Sequence, residues 1–142
     1  MTTHMAHRRP RRRLPLPLDG SAHRDGAAAA FVFLGGALAV GVWTVLLGFY
    51  ASADVRPLWI GFDLLLTVGM ALTGWLAWRR DGRAALTAAG LAALMLADVW
   101  FDVMTARPGY RPTSIVMGLT LELPFAAACA VFALRVRARG WR

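Results

Sequence analysis

The sequence predicts an all-α membrane protein, a four-transmembrane-helix bundle of up-down-up-down topology with both termini in the cytoplasm. Three observations predict it. Four long apolar stretches are separated by connections of only seven, five and seven residues. The composition is 58% hydrophobic and 17% charged, with a mean hydropathy of +0.51, where ordinary soluble domains run at about 45–50% apolar and 25% charged. The arginines, finally, divide thirteen to three between the two sides that four spans would create.

Each span is justified by length and charge. Ala27–Tyr50 carries no charge, and Leu58–Trp78 carries only Asp63. Ala84–Ala106 contains Asp98 and Asp102, and Ser114–Leu134 contains Glu122. Roughly 20 residues at about 1.5 Å per residue cross a ~30 Å hydrocarbon core. A spanning segment must satisfy its own backbone, so each stretch is a helix; the ~10-residue alternation of an outer-membrane barrel is absent. Pro57 suits a helix start, and Pro108-Gly109 with Pro112 breaks the chain between the last two spans. Connections this short force antiparallel neighbours.

The arginine count fixes orientation. Residues 1–26 hold six arginines, the second connection holds Arg79, Arg80 and Arg83, and residues 135–142 hold four more. Only Arg56, Arg107 and Arg111 fall on the other side. The positive-inside rule then puts both termini in the cytoplasm. Residues 1–26 have no apolar period and include Leu14-Pro15-Leu16-Pro17-Leu18, which reads as a disordered Arg-rich tail ahead of the 27–134 domain. Residues 135–142 read as a second basic tail. The first tail enforces topology, with contact to anionic headgroups at about 1 kcal/mol per residue as the alternative. Ala51-Ser52-Ala53 mimics a signal-peptide cleavage site, but the run before it far exceeds the usual h-region of about 7–15 residues.

Composition also excludes. A formal charge of +8 would suggest nucleic acid in a soluble protein; its placement here points to the lipid bilayer and to no nucleic acid. All sixteen basic residues are arginine, and Lys, Asn and Gln are missing, the trace of a GC-rich genome and so of a bacterial cytoplasmic membrane. One cysteine builds no disulfide framework. His4, His7 and His23 all precede the first apolar run, so no metal site and no cofactor is expected. No P-loop, nucleophile elbow or HExxH occurs, nor the paired broken helices of a transporter.

Half of the eight acidic residues fall inside spans, and ionisable groups at membrane depth are functional candidates by default. Counted from the outer ends, Asp102 and Asp63 lie about 6 and 8 Å deep, Asp98 and Glu122 about 12 Å. Four carboxylates from three helices therefore share the outer half of the bilayer. Asp98 and Asp102 are one turn apart, with Met95 and Leu91 beneath. Trp59, Asp63, Thr67 and Met70 form a stripe, and so do Gly118, Glu122, Phe125 and Cys129. Together they describe a cavity with acidic walls and an apolar, sulfur-lined floor. Four carboxylates in a low dielectric cannot all stay ionised, so one is expected to keep a proton. Asp98 and Glu122, the deepest pair, are the candidate catalytic or proton-binding centre, with Trp100 and Phe101 helping to exclude water. Pro124, two residues past Glu122, is expected to kink its helix and free the Thr120 carbonyl.

The competing reading is a lid, in which Arg56, Arg107 and Arg111 pair with the four acids and pin the helix ends. Other features read as packing. Ala85, Ala89, Ala93 and Ala97, and Ala37, Gly41 and Gly48, allow close helix approach within the chain or in a homo-oligomer. Trp59, Trp100, Tyr50 and Tyr110 fit an outer aromatic belt, Trp75 and Trp78 an inner one.

The run Ala97-Asp98-Val99-Trp100-Phe101-Asp102-Val103-Met104-Thr105-Ala106 resembles a D-x-W-F-D-x-x-T-A stretch of small four-helix actinobacterial-type integral membrane proteins. The resemblance covers roughly residues 27–135 and implies that Asp98, Trp100, Phe101, Asp102 and Thr105 act as a unit. It implies no particular activity. The sequence thus leads to a membrane protein whose outer-leaflet pocket (Asp63, Asp98, Asp102, Glu122, Trp59, Thr67 and Trp100) binds a cation, a proton or an amine-bearing small molecule. One alternative is an acid–base isomerase or cyclase acting on an apolar, isoprenoid-like substrate. The other is a scaffold subunit of a membrane complex.

Overall fold

The computed structural model describes residues 20–50 and 56–142, which form four long helices. α1 is Gly20–Tyr50, α2 is Arg56–Arg79 and α3 is Ala84–Thr105. The fourth, Arg111–Arg139, is α-helical over Arg111–Met117 (α4) and Leu123–Arg139 (α5), with a π-helical turn at Gly118–Glu122 between them. All four are long and apolar enough to cross a membrane. Residues 1–19 of the expected tail and the Ala51-Ser52-Ala53 site lie outside the described residues.

Two helices run past the apolar stretches that nucleate them. α1 starts at Gly20 rather than Ala27, because residues 20–26 contain no proline to stop propagation. Asp25 there pairs with Arg139 at 2.6 Å. At the other end of the chain the expected basic tail is helical through Arg139. Arg, Ala and Leu are good helix formers, Val136 is buried, and Arg137 and Arg139 sit where the helix dipole favours cations. Gly140 then ends the helix in the left-handed region, φ 61°, with its N–H donating to the Arg137 carbonyl. Trp141 turns back over Gly82 and meets Phe132 edge-on at 6.0 Å.

α2 closes with the same geometry built from a less suited residue. Arg80 adopts φ 55°, its N–H donating to Ala77 and that of Asp81 to Leu76, the paired bonds of a Schellman motif. Asp81 then accepts from the Arg83 backbone at 2.9 Å and from its guanidinium at 2.7 Å. Arg83 thereby holds the Asp81 carboxyl down at about 2.

The helices associate unevenly. α1 packs along α2, α2 along α3, and α3 along α5. Between α1 and α2 the approach is backbone on backbone. A Cβ at Gly74 would stand 2.9 Å from Leu34 Cγ and 3.2 Å from the Ala30 carbonyl oxygen. Gly41 and Gly48 also face α2, Gly41 opposite Thr67 and Gly48 opposite Ile60, and Ala37 is buried. In α3 the buried small residues are Ala84, Ala85 and Ala88, while Ala89 and Ala93 of the expected stripe point outward. Gly74→Ala is expected to lower stability by about 1–2 kcal/mol, overpacking outweighing the gain in helix propensity. A lowered thermal midpoint in detergent checks it; an unchanged one would mean that α1 and α2 can separate freely.

The fourth side is different. No described Cα of α1 comes within 8 Å of one in α4, the π turn or α5. Aromatic rings bridge the gap instead: Phe33 of α1 lies 6.0 Å from Phe125 and 5.3 Å from Phe132. Around the bundle, large apolar side chains such as Phe31, Leu38, Val68, Leu86 and Leu134 are more than half exposed, as expected of helices apolar on every face.

Candidate functional site

A cavity of 640 Å³ lies inside the splayed side of the bundle. It gathers the last turns of α1 with Trp43 and Leu47, the start of α2 with Trp59, the end of α3 with Asp102, and Met117 of α4. Asp63, Asp98, Asp102 and Glu122 all line it. The three helices are held in register by contacts already described, so carboxylates 20 to 60 residues apart in sequence meet around one space.

Helix geometry explains each placement. On α3, Asp102, Asp98 and Met95 descend the cavity wall at spacings of four and three. On α2 the wall is Trp59, Asp63, Leu66 and Met70. Thr67, one residue past Leu66, is turned toward α1, where its Cγ2 faces Gly41 and its hydroxyl has no hydrogen-bond partner. It flanks the cavity without lining it. On the fourth helix Leu121, Glu122 and Phe125 line it. At the site of the expected proline kink the helix makes a π turn, in which the Leu123 N–H donates to Gly118, five residues back. Pro124 has no N–H to give Thr120, and widening the turn by one residue relieves the clash of its ring with the preceding turn. Gly118 lets the π turn close on α3, a Cβ there meeting Val99 at 3.0 Å.

Trp100 and Phe101 do not shield the acids. Trp100 is 60% exposed and stacks edge-on with Phe101, 5.5 Å away on the outer surface of the bundle. Two residues from Asp98 is about 200° around a helix, so Trp100 faces the opposite way. The aromatic walls come from Trp43, Trp59 and Phe125 instead. Trp43 and Leu47, with Gly36, Ala39 and Val40, belong to a span without a charge to mark its inner face, and no sequence signal singled them out.

Two of the carboxylates each carry a buried oxygen without a hydrogen-bond partner. Asp63 is 6% exposed, and its Oδ2 has no hydrogen-bond partner; neither has Glu122 Oε2. Thr44 of α1 neighbours the Asp63 carboxyl, while its own hydroxyl donates to the Val40 carbonyl at 2.7 Å. Asp98 feels the charges of Glu122, Asp102 and Asp63, and Asp102 also acts on Asp63 and Glu122. Among the described residues no arginine lines the cavity, and Arg107 and Arg111 form no ion pair with the four acids. Both are exposed. The described ion pairs, Arg83–Asp81 and Arg139–Asp25, lie at the opposite end of the bundle, with Trp141.

The acids also stand apart. Among the described residues no group of three His, Cys, Asp or Glu is placed to hold a metal ion. Below them the cavity is closed by Leu66, Met70, Met95 and Phe125. From Phe125 a column of rings continues through Phe33 and Phe132 to Trp141. Cys129 is fully buried in that packed region. The lining is acidic toward one end, at Asp102, Asp63, Asp98 and Glu122, and apolar toward the other. Comparison with known proteins finds no matching family model, no similar curated protein and no similar solved structure.

Proposed function

We propose that the chain is a small multi-pass protein of a bacterial cytoplasmic membrane that binds a positively charged, amine-bearing molecule in this pocket. The observation that carries the reading is Asp63, a carboxylate nine-tenths buried, with an oxygen that has no partner and a cavity in front of it. A buried carboxylate oxygen without a partner is costly. A cationic ligand supplies the missing partner, and three further acids around the same space add to its attraction. The apolar remainder of the wall suits an organic cation better than a hard metal ion, which wants several oxygens at close range. Trp43 and Trp59 in the lining are residues whose rings attract an ammonium group.

The thirteen-to-three arginine division supports an up-down-up-down bundle with both termini cytoplasmic and the pocket toward the outer leaflet. Reporter fusions after Ser52, Gly82, Gly109 and Arg142 are expected to read outside, inside, outside, inside. Any other order removes the outer-leaflet assignment.

Benzylamine tests the binding itself. At a concentration of about 100 times its Kd it should stabilise the purified protein by about 2.7 kcal/mol, read as a rise in thermal midpoint, and sodium or magnesium chloride at equal ionic strength should not. The rise should vanish in Asp63→Asn. An equal response to magnesium, or one that survives that substitution, overturns the reading.

A further inference from the structure

We infer that the occupant of the pocket is a single-chain amphiphile with a cationic amine head, and that it enters sideways from the lipid between α1 and the fourth helix. This rests on the proposed cation binding and adds the ligand's class and route.

The first observation is the order of groups along the pocket. At its mouth stand Trp59 and Asp102, then Asp63, Asp98 and Glu122, and below them Leu66, Met70, Met95 and Phe125. A molecule with its charge among the acids therefore has its remaining length against hydrocarbon and thioether. That polarity gradient runs along the helices, as a lipid's does in a leaflet. A compact cation held at the acids would leave the apolar end of the 640 Å³ unfilled, whereas an alkyl chain fills it.

The second observation is the seam. α1 and the fourth helix nowhere bring their described Cα atoms within 8 Å. The side chains at its edges, Ala39 and Trp43 on α1 and Met117 and Leu121 opposite, line the pocket and are themselves exposed. The pocket thus communicates with the flank of the bundle, which in a bilayer is lipid. Behind Phe125 at the apolar end a column of rings continues to Trp141, so an alkyl chain entering by the seam ends against packed aromatic side chains. Asp63, buried and with Oδ2 unpartnered, lines this space, and its carboxylate is an anchor for a cationic head that a neutral lipid cannot use.

The full chain in lipid nanodiscs is titrated with tetradecylamine, tetradecanol and benzylamine. Native mass spectrometry counts the retained long-chain molecules, and thermal midpoints compare all three. Tetradecylamine is expected to be retained one per chain and to act at a concentration at least tenfold below benzylamine, with tetradecanol not retained. Asp63→Asn should abolish retention. Ala39→Phe, which narrows the seam without touching an acid, should reduce tetradecylamine retention at least tenfold. If benzylamine acts as well as tetradecylamine, or if Ala39→Phe changes nothing, the amphiphile inference falls while cation binding stands. If neither amine acts, both fall. If tetradecanol is retained equally and Asp63→Asn has no effect, the pocket is a neutral lipid groove and both fall as well.

Discussion

Asp63→Asn is expected to stabilise the ligand-free protein, by about 1–3 kcal/mol, the cost of a buried polar group left without its partner. The sign is what matters. Asp63 is 6% exposed with Oδ2 unpartnered, and Asp102 acts on it from across the cavity. An amide of nearly the same shape removes the charge and brings a donor. Thr44 gives its own proton to Val40, so its oxygen can still accept from that amide. Asp98→Asn and Glu122→Gln should act in the same direction, each relieving the repulsion that Asp98 and Glu122 share with Asp102. A lid of ion pairs predicts the reverse, because removing one partner of a buried pair costs about 3–5 kcal/mol. It also predicts matching losses for Arg107→Ala and Arg111→Ala, where the exposed positions found here predict changes within about 0.5 kcal/mol. Thermal unfolding in detergent of these five variants separates the two accounts. Acid variants that all lose stability would favour the lid. A gain in stability that comes with lost amine binding is the trade expected of a site held ready for a ligand.

The spans were legible because hydropathy over 20 residues is a summed signal that a few acids cannot mask. The acids were legible too, since an aspartate among leucines marks both a helix and its inner face. From Asp63, Asp98, Asp102 and Glu122 the helical repeat could be followed to Met70, Met95 and Phe125, which line the same cavity. What stayed hidden had no polar marker or depended on partners. Trp43 and Ala39 sit in a uniformly apolar α1, where no period distinguishes pocket from lipid. Trp100 looked like part of the site because it is close in sequence to two acids, but two residues along a helix means the far side. Pro124 announced a disturbance at Glu122, and sequence alone does not choose between a kink and a π turn. The helices run on through residues 20–26 and 135–139, whose side chains permit helix without being apolar and meet in Asp25–Arg139; a hydropathy window sees neither.

Phe33→Ala is expected to have the largest packing effect in the bundle and to change what the pocket accepts. Phe33 is 4% exposed and touches both Phe125 and Phe132 across the one side where backbones do not meet. Truncating a core Phe in a soluble protein costs about 3–5 kcal/mol. In a bilayer the ring has no water to escape, so only the lost packing counts, and a loss of about 2–3 kcal/mol follows from the lower end of that range. The consequence for function is more specific. Phe125 forms the pocket floor and rests on Phe33. Without that support it can drop into the vacated space, and the cavity deepens toward Phe132 and Trp141. Compared across alkylamines of increasing length, binding to the variant should therefore peak at a chain several carbons longer than in the wild type. The acids are untouched, so benzylamine should bind both alike. Phe125→Ala offers the control, since it removes the floor itself and should shift the preferred length in the same direction. An unchanged length preference in both variants would place the chain outside the pocket, along the lipid-facing seam, with only the amine inside.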